Sequence, residues 1–275
     1  VSPDGGERIA AAFAHAAEEG RPALMPYLMG GYPDDETSRS VIAAYADSGA
    51  DLIELGVPFS DPLADGPVIH AAGTKALASG ATFDSVLELG ATVSAQVPVV
   101  AMLYANMIFT RGIEQVADAL AEAGLAGVIV PDLPPEEAGD IRDAMQQRGM
   151  VVIPLVAPTT PPARRAEICA GAGGFIYLVS DTRTTGERDE LPPALQQLVA
   201  DTKADSPVPV AVGFGIGTPQ QVATVGAFAD GVIVGTRLVR AVGESPDAEQ
   251  AGSAVAEFLG AAREAASSSD RLPSR

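Results

Sequence analysis

The sequence predicts an α/β fold, a (β/α)8 TIM barrel with an extra N-terminal helix, and three observations carry that expectation. Eight short apolar runs recur along the 275 residues. They are near-continuously apolar, as strands buried on both faces of a parallel sheet must be. Helix-length, Ala-rich amphipathic stretches such as EQVADALAEAG and TPQQVATVGAFA separate them, so each strand is followed by a segment able to cover it. An open doubly wound sheet uses the same repeat, but eight units in one chain favour closure. One domain over residues 1–265 is expected, because a single barrel fills this length and a 47% hydrophobic composition supplies one sizeable core.

Taken in order, GGERIAAAFAHAAEEG comes before the first strand and is surplus to the eight units, so it is expected to plug the bottom of the barrel. The strands then read PALMPYLMGG, ADLIELGVP, VPVVAMLYA, AGVIVPDLP, MVVIPLVAP, GFIYLVS, VPVAVGFG and DGVIVGTRLV. Helix starts carry the chemistry that satisfies free N–H groups: DDETSRS before the first barrel helix, PPEEAGD before the fourth, and GTPQQ before the seventh. In the last of these Thr218 is placed to cap and Pro219 to occupy the first helical position. The tail 266–275 is polar and Ser-rich, and is expected to be disordered.

Charge narrows the function. With 17 basic against 36 acidic residues the net charge is −19, whereas nucleic acid and anionic membranes require clustered Lys and Arg. A small-molecule partner is expected, and the acidic excess reads as a solvated outer surface. The lone Cys169 cannot close an internal disulfide, and in RRAEICAGAGG it reads as a small buried hydrophobe. No apolar run approaches the roughly 18 residues of a membrane span, and VSPDGGER lacks a signal-peptide apolar region, so a cytoplasmic setting is the default expectation. His15 and His70 fall on helical segments without metal-ligand spacing, and no metal is expected.

One strand contains an anomaly. Glu54 stands between Leu and Ile in DLIELGV, where a carboxylate costs several kcal/mol unless paired, hydrogen-bonded or protonated. Side chains alternate along a strand, so Leu52, Glu54 and Gly56 share a face; if that face is the barrel interior, the glutamate points into the mouth, where barrels place their chemistry. Position alone is equally compatible with an idle, solvated carboxylate at a frayed strand end. The next residues, PFSDPLADGP, form a loop unusually rich in carboxylates, Asp61 and Asp65 among them.

The stretch ELGVPFSDPLADGP resembles the signature of the tryptophan synthase alpha subunit family, which cleaves indole-3-glycerol phosphate to indole and glyceraldehyde 3-phosphate. MPYLMGGYP, MLYANMIFTRG, VIVPDLPPEE, VGFGI and GVIVGTRLV extend the resemblance over roughly residues 8 to 262. It implies that Glu54 and Asp65 are the catalytic pair. A retro-aldol cleavage needs carbon 3 of indole protonated, the adjacent chain hydroxyl deprotonated and the positive charge developing on the ring nitrogen stabilised. A glutamate in a semi-apolar mouth would have its pKa raised and shuttle the proton, while an ionised Asp65 accepts the indole N–H.

The resemblance also places Tyr27, Met102, Tyr104, Leu155, Tyr177 and Phe214 on the indole pocket, although spacing alone favours ordinary packing for aromatic residues at a barrel rim. It assigns the phosphate to Gly186, Gly215, Gly235 and Thr236, since no basic cluster stands near the late strands beyond Arg237 and backbone N–H groups must bind it. Taken alone, these glycines read equally as tight turns. Pro58, Asp61, Asn106, Phe109, Asp132 and Pro134 fall on the family's contact surface for a beta subunit, implying an alpha2beta2 tetramer in which pyridoxal phosphate belongs to the beta chain and this chain carries no cofactor. A stand-alone lyase releasing free indole, or a catalytically silent barrel that binds a phosphorylated ligand, would share much of this pattern.

The sequence departs from the family after the sixth strand. Where the family usually reads S-R-x-G-V-T-G, Ser180 is followed by DTRTTG, with Asp181 in place of the common arginine, Arg183 of glycine and Thr184 of valine. Thr185 and Gly186 remain, and the resemblance implies that this threonine bonds the catalytic aspartate when the loop closes.

Overall fold

A computed structural model describes residues 4–179, 194–213 and 215–267. Asp4 begins the fold by capping helix α1, Gly5–Glu18, through a reciprocal pair with Glu7. The strands are β1 Ala23–Met29, β2 Ile53–Gly56, β3 Val99–Met102, β4 Gly127–Ile129, β5 Val151–Ile153, β6 Leu155–Val156, β7 Ile176–Val179, β8 Val210–Gly213 and β9 Gly231–Val234. The helices after α1 are α2 Asp35–Asp47, α3 Pro67–Ala78, α4 Phe83–Ala91, α5 Ala105–Arg111, α6 Ile113–Glu122, α7 Gly139–Gln146, α8 Pro162–Ala170, α9 Leu195–Asp205, α10 Pro219–Gly226, α11 Thr236–Glu244 and α12 Ala248–Ser267. The last of these runs two residues into the segment expected as a tail.

All strand pairs are parallel, in the order β5-β4-β3-β2-β1-β9-β8-β7-β6. The two ends of that order, β5 and β6, are separated in the chain by Pro154 alone. They are halves of one stave, the expected fifth strand: its first half pairs with β4 and its second with β7. Proline has no N–H to offer a ladder, so the strand breaks there while the barrel stays closed. A doubly wound sheet would leave two distant edges, and this one does not.

The core has two layers. Inward residues such as Met25, Leu52, Val100, Ile153 and Ala211 fill the barrel, and Ile9 and Phe13 of α1 pack into the same cluster. The Phe13 and Phe175 rings meet at 5.7 Å. Helix α1 therefore closes the bottom, and it can approach because Gly5 lacks a side chain: a Cβ there would stand 2.0 Å from the Ala126 carbonyl oxygen. The Arg8 guanidinium fixes the plug by donating to the carbonyls of Gly124 at 2.9 Å, Val97 at 3.4 Å and Ser94. Outward strand residues, Leu24, Leu28, Ile53 and Leu55 among them, pack beneath the helices in a larger cluster that includes Cys169.

Candidate active site

With the bottom plugged, the open end is the one at the strands' C-termini, and a cavity of about 420 Å³ occupies it. Leu52 lies in the inner cluster and Ile53 in the outer one, so Glu54 points inward. It is 2% exposed, lines the cavity, and its Oε2 has no hydrogen-bond partner among the described residues. Burial pushes this carboxyl up to about 8, with the nearby Asp65 charge adding to the rise. Near neutral pH Glu54 therefore holds a proton and can release it.

Asp65 enters the cavity from the loop after β2. Burial raises its pKa too, but the Tyr104 hydroxyl, which donates to Oδ1 at 3.0 Å, and the charge of His70 pull it back. The two carboxyls thus differ in what surrounds them: one has an unpartnered oxygen in an apolar wall, the other has a donor.

Tyr27 and Tyr177 share the cavity wall with Glu54. Tyr27 is its register partner on β1, and both tyrosines are buried and held protonated by burial, with the Glu54 charge contributing. Their rings lie across glycines: a Cβ on Gly56 would fall 2.1 Å from the Tyr27 hydroxyl, and one on Gly213 would fall 2.5 Å from that of Tyr177. Met102 and Leu155 complete the apolar part of the wall that the sequence points to, and Gly215, Gly235 and Thr236 line the cavity as well. Tyr104 does not line the cavity; it stands behind Asp65. Thr185, Gly186, Phe214 and the unusual stretch Asp181 to Thr184 lie outside the described residues.

The two described glycines differ in what they are for. Gly215 has φ +85°, a left-handed turn that glycine makes without strain. Gly235 has φ −112°, and a Cβ there would meet Tyr27 at 3.6 Å, an ordinary contact, so packing does not demand glycine at this position. It precedes α11, whose first turn has no side-chain cap.

Of the residues expected at a partner surface, Pro58 is buried and Asp132 half-buried, whereas Asp61, Asn106 and Pro134 are exposed. Phe109 is 55% exposed and Leu63, in the Asp65 loop, 81%. Sequence reasoning missed Thr159 and Thr160, which follow β6 and put hydroxyl-bearing side chains on the cavity wall. Their signal was present, since APTTPP directly follows an apolar strand, but a Pro-rich stretch reads as a turn. Among the described residues no group of three or more His, Cys, Asp or Glu is placed to hold a metal, and no helix is long and apolar enough to cross a membrane.

Such a mouth defines a class: barrel enzymes that move protons between carboxyl groups and a small bound molecule. Comparison with known proteins narrows it to one family. The family model of the tryptophan synthase alpha chain matches residues 13–268. A tryptophan synthase alpha chain from Prochlorococcus marinus (strain MIT 9313) is 50% identical over 235 residues, 84% of this chain and 86% of that one. Among solved structures, Mycobacterium tuberculosis tryptophan synthase superposes with a TM-score of 0.87 at 35% identity, over 97% of this chain and 99% of the other. Tryptophan synthase subunit alpha from Legionella pneumophila str. Paris does so at 0.84 and 37% identity, over 94% and 97%. The chain belongs to the tryptophan synthase alpha chain family.

Proposed function

We propose that the protein cleaves indole-3-glycerol phosphate to indole and glyceraldehyde 3-phosphate by a retro-aldol reaction, as the alpha subunit of a tryptophan synthase. The observation that carries this reading is Glu54: a buried carboxyl with an unpartnered oxygen, facing a cavity, its pKa raised to about 8. Glu54 donates its proton to carbon 3 of the indole ring. The bond from that carbon to the glycerol chain breaks as the chain hydroxyl gives up its proton, leaving an aldehyde and free indole, and the carboxylate recovers a proton from that hydroxyl. Asp65, ionised and held by Tyr104, accepts the ring N–H and stabilises the positive charge that develops while the ring is protonated.

The ring lies against Tyr27, Met102, Leu155 and Tyr177, and the phosphate at Gly235 and Thr236, where the uncapped first turn of α11 offers N–H groups to an anion. Packing that leaves Gly235 free to carry a side chain supports a ligand there instead. This chain supplies the acid–base and binding groups alone, and pyridoxal phosphate is assigned to a beta subunit. The exposed Phe109 and Leu63 support docking of that subunit at the barrel mouth, in an alpha2beta2 assembly. Glu54→Gln tests the reading: the amide keeps the shape and cannot exchange the proton, so indole release should fall by at least about a hundredfold while affinity for an indole-bearing phosphate ester is retained. Full turnover in that variant would remove the mechanism.

A further inference from the structure

Tyr104 holds the Asp65 loop at three points. Its hydroxyl donates to Asp65 Oδ1 at 3.0 Å and accepts from the Ala64 N–H at 3.1 Å, and its ring stacks on Phe59 with centroids 5.3 Å apart. Tyr104 sits just beyond β3 as the N-cap residue of α5, and it gives that helix no side-chain cap. The missing cap comes from the next loop round the barrel, where Asp132 Oδ1 accepts the Ala105 N–H at 2.9 Å. A hydrogen-bonded chain therefore links three successive strand-end loops, from Asp132 after β4, through the start of α5, to Asp65 after β2.

We propose that Tyr104 is a positioning residue for Asp65, and that Asp132 positions Tyr104 through the first turn of α5. The inference rests on the assignment of Asp65 to the reaction. The loop between β2 and α3 is crowded with Pro, Asp and Gly, and the bond from Ser60 to Asp61 within it, at 2.5 Å, is local. A carboxylate on such a loop must be tied to something rigid to meet a ring N–H, because misplacement by about 1 Å can cost about a hundredfold in rate. The end of β3 is held by ladders to β2 and β4, and Tyr104 is 3% exposed. A purely packing role would use the ring and leave the hydroxyl without work, yet here the hydroxyl makes two bonds into the loop.

The consequence can be read at Asp65 itself. Among the described residues, the groups that face it are the Tyr104 hydroxyl, His70 on α3, Glu54 on β2 and Tyr27 on β1. The Tyr104 bond favours the ionised form, so removing it raises the Asp65 pKa. Carbon-13 titration of side-chain carboxyls in aspartate-labelled protein reports that pKa without turnover, the Asp65 signal being the one lost in Asp65→Asn. Tyr104→Phe keeps the ring on Phe59 and removes the hydroxyl; the Asp65 midpoint should rise by about one unit, tenfold in proton affinity. Since the ionised form is required, the acid limb of kcat/KM should move up by the same amount.

Asp132 is tested by a pair of variants. Asp132→Asn loses the charge but keeps an oxygen for the Ala105 N–H, whereas Asp132→Ala loses both, so the difference between their Asp65 midpoints isolates the cap. The proposal expects the alanine variant to titrate higher. It is overturned if Tyr104→Phe leaves the midpoint in place, or if the two Asp132 variants titrate alike. Full indole release by Asp65→Asn would instead overturn the catalytic reading and leave the titration result standing, so the two failures are distinguishable.

Discussion

Glu54 is costly where it stands, and the cost has a pH signature. Its ordinary value of 4.5 rises to about 8 in the fold. Between those values the folded chain keeps a proton that the unfolded chain has lost. The folded state binds more protons there, so stability falls as pH rises across the window and levels off above about 8, a loss on the order of a few kcal/mol. Glu54→Gln does not titrate. The variant's unfolding free energy relative to the parent should therefore grow in its favour between pH 5 and pH 8, by roughly 1.4 kcal/mol per unit. Urea melts at both pH values check this, and a constant difference would mean that the carboxyl is ionised throughout. The acid proposed for the reaction is thus held at the expense of stability, as buried active-site carboxyls commonly are. Sequence alone drew attention to Glu54 because a carboxylate between Ile and Leu is costly in an apolar strand, although position by itself fitted an idle strand end equally well. It could not expose the bond between Tyr104 and Asp65, whose residues are 39 apart and meet only when β2 and β3 lie side by side.

At the scale of elements, caps and staves were readable where local chemistry decides them. Thr218 caps α10 by accepting the Gln221 N–H at 3.2 Å, and the Gln221 side chain returns a bond to the Thr218 N–H at 3.2 Å. Gln221 Oε1 also accepts the Gly217 N–H at 2.8 Å, so the box fixes the turn that leaves β8 beside the cavity. Thr218→Ala should cost about 1 kcal/mol in thermal or urea unfolding; no loss would show that Gln221 alone secures the turn. Other elements resisted the reading. Helix α7 begins at Gly139 without a side-chain cap, so Glu136 and Glu137 of PPEEAGD precede the helix, Asp140 lies in its first turn, and none of them caps it. The run MVVIPLVAP looks like one strand by hydropathy, and only the missing N–H of Pro154 divides it into β5 and β6. Short α5 lay hidden in MLYANMIFTRG because its N-terminus is capped from a different loop, by Asp132, and so leaves no local signal.

The whole molecule separates its two ends, with the cavity and the proposed chemistry at the strands' C-termini and a charged clamp at their N-termini. Arg21 is 2% exposed and grips Asp51 with two bonds, at 2.5 and 2.8 Å, while Asp51 Oδ2 also accepts the Leu24 N–H at 2.7 Å. Glu19 accepts from both Arg21 at 2.8 Å and Arg263 at 2.7 Å, and Arg263 reaches the Gly49 carbonyl at 3.2 Å, so the end of α1, the starts of β1 and β2 and helix α12 are tied together. Composition could not reveal this, because a net charge of −19 reads as a solvated shell and Asp51 looks like an ordinary residue ahead of a strand. Asp51→Ala would take the buried one of the two carboxylates that hold Arg21, leaving Glu19, and would leave the Leu24 N–H without its acceptor. Breaking a buried pair outright from one side costs about 3–5 kcal/mol, and the retained Glu19 bond places this variant at or below the low end of that range. Asp51 lies three residues before Glu54, about 10 Å along an extended chain, and its hydrogen-bond partners Arg21 and Leu24 do not line the cavity. The variant should therefore lose that stability in urea melts yet keep kcat and KM within about twofold when assayed well below its melting temperature, since sites this far apart with no shared partner act nearly independently. A tenfold fall in kcat under those conditions would show instead that strain at the bottom of β2 is transmitted up the strand to the acid, and that the two ends of the barrel are one mechanical unit.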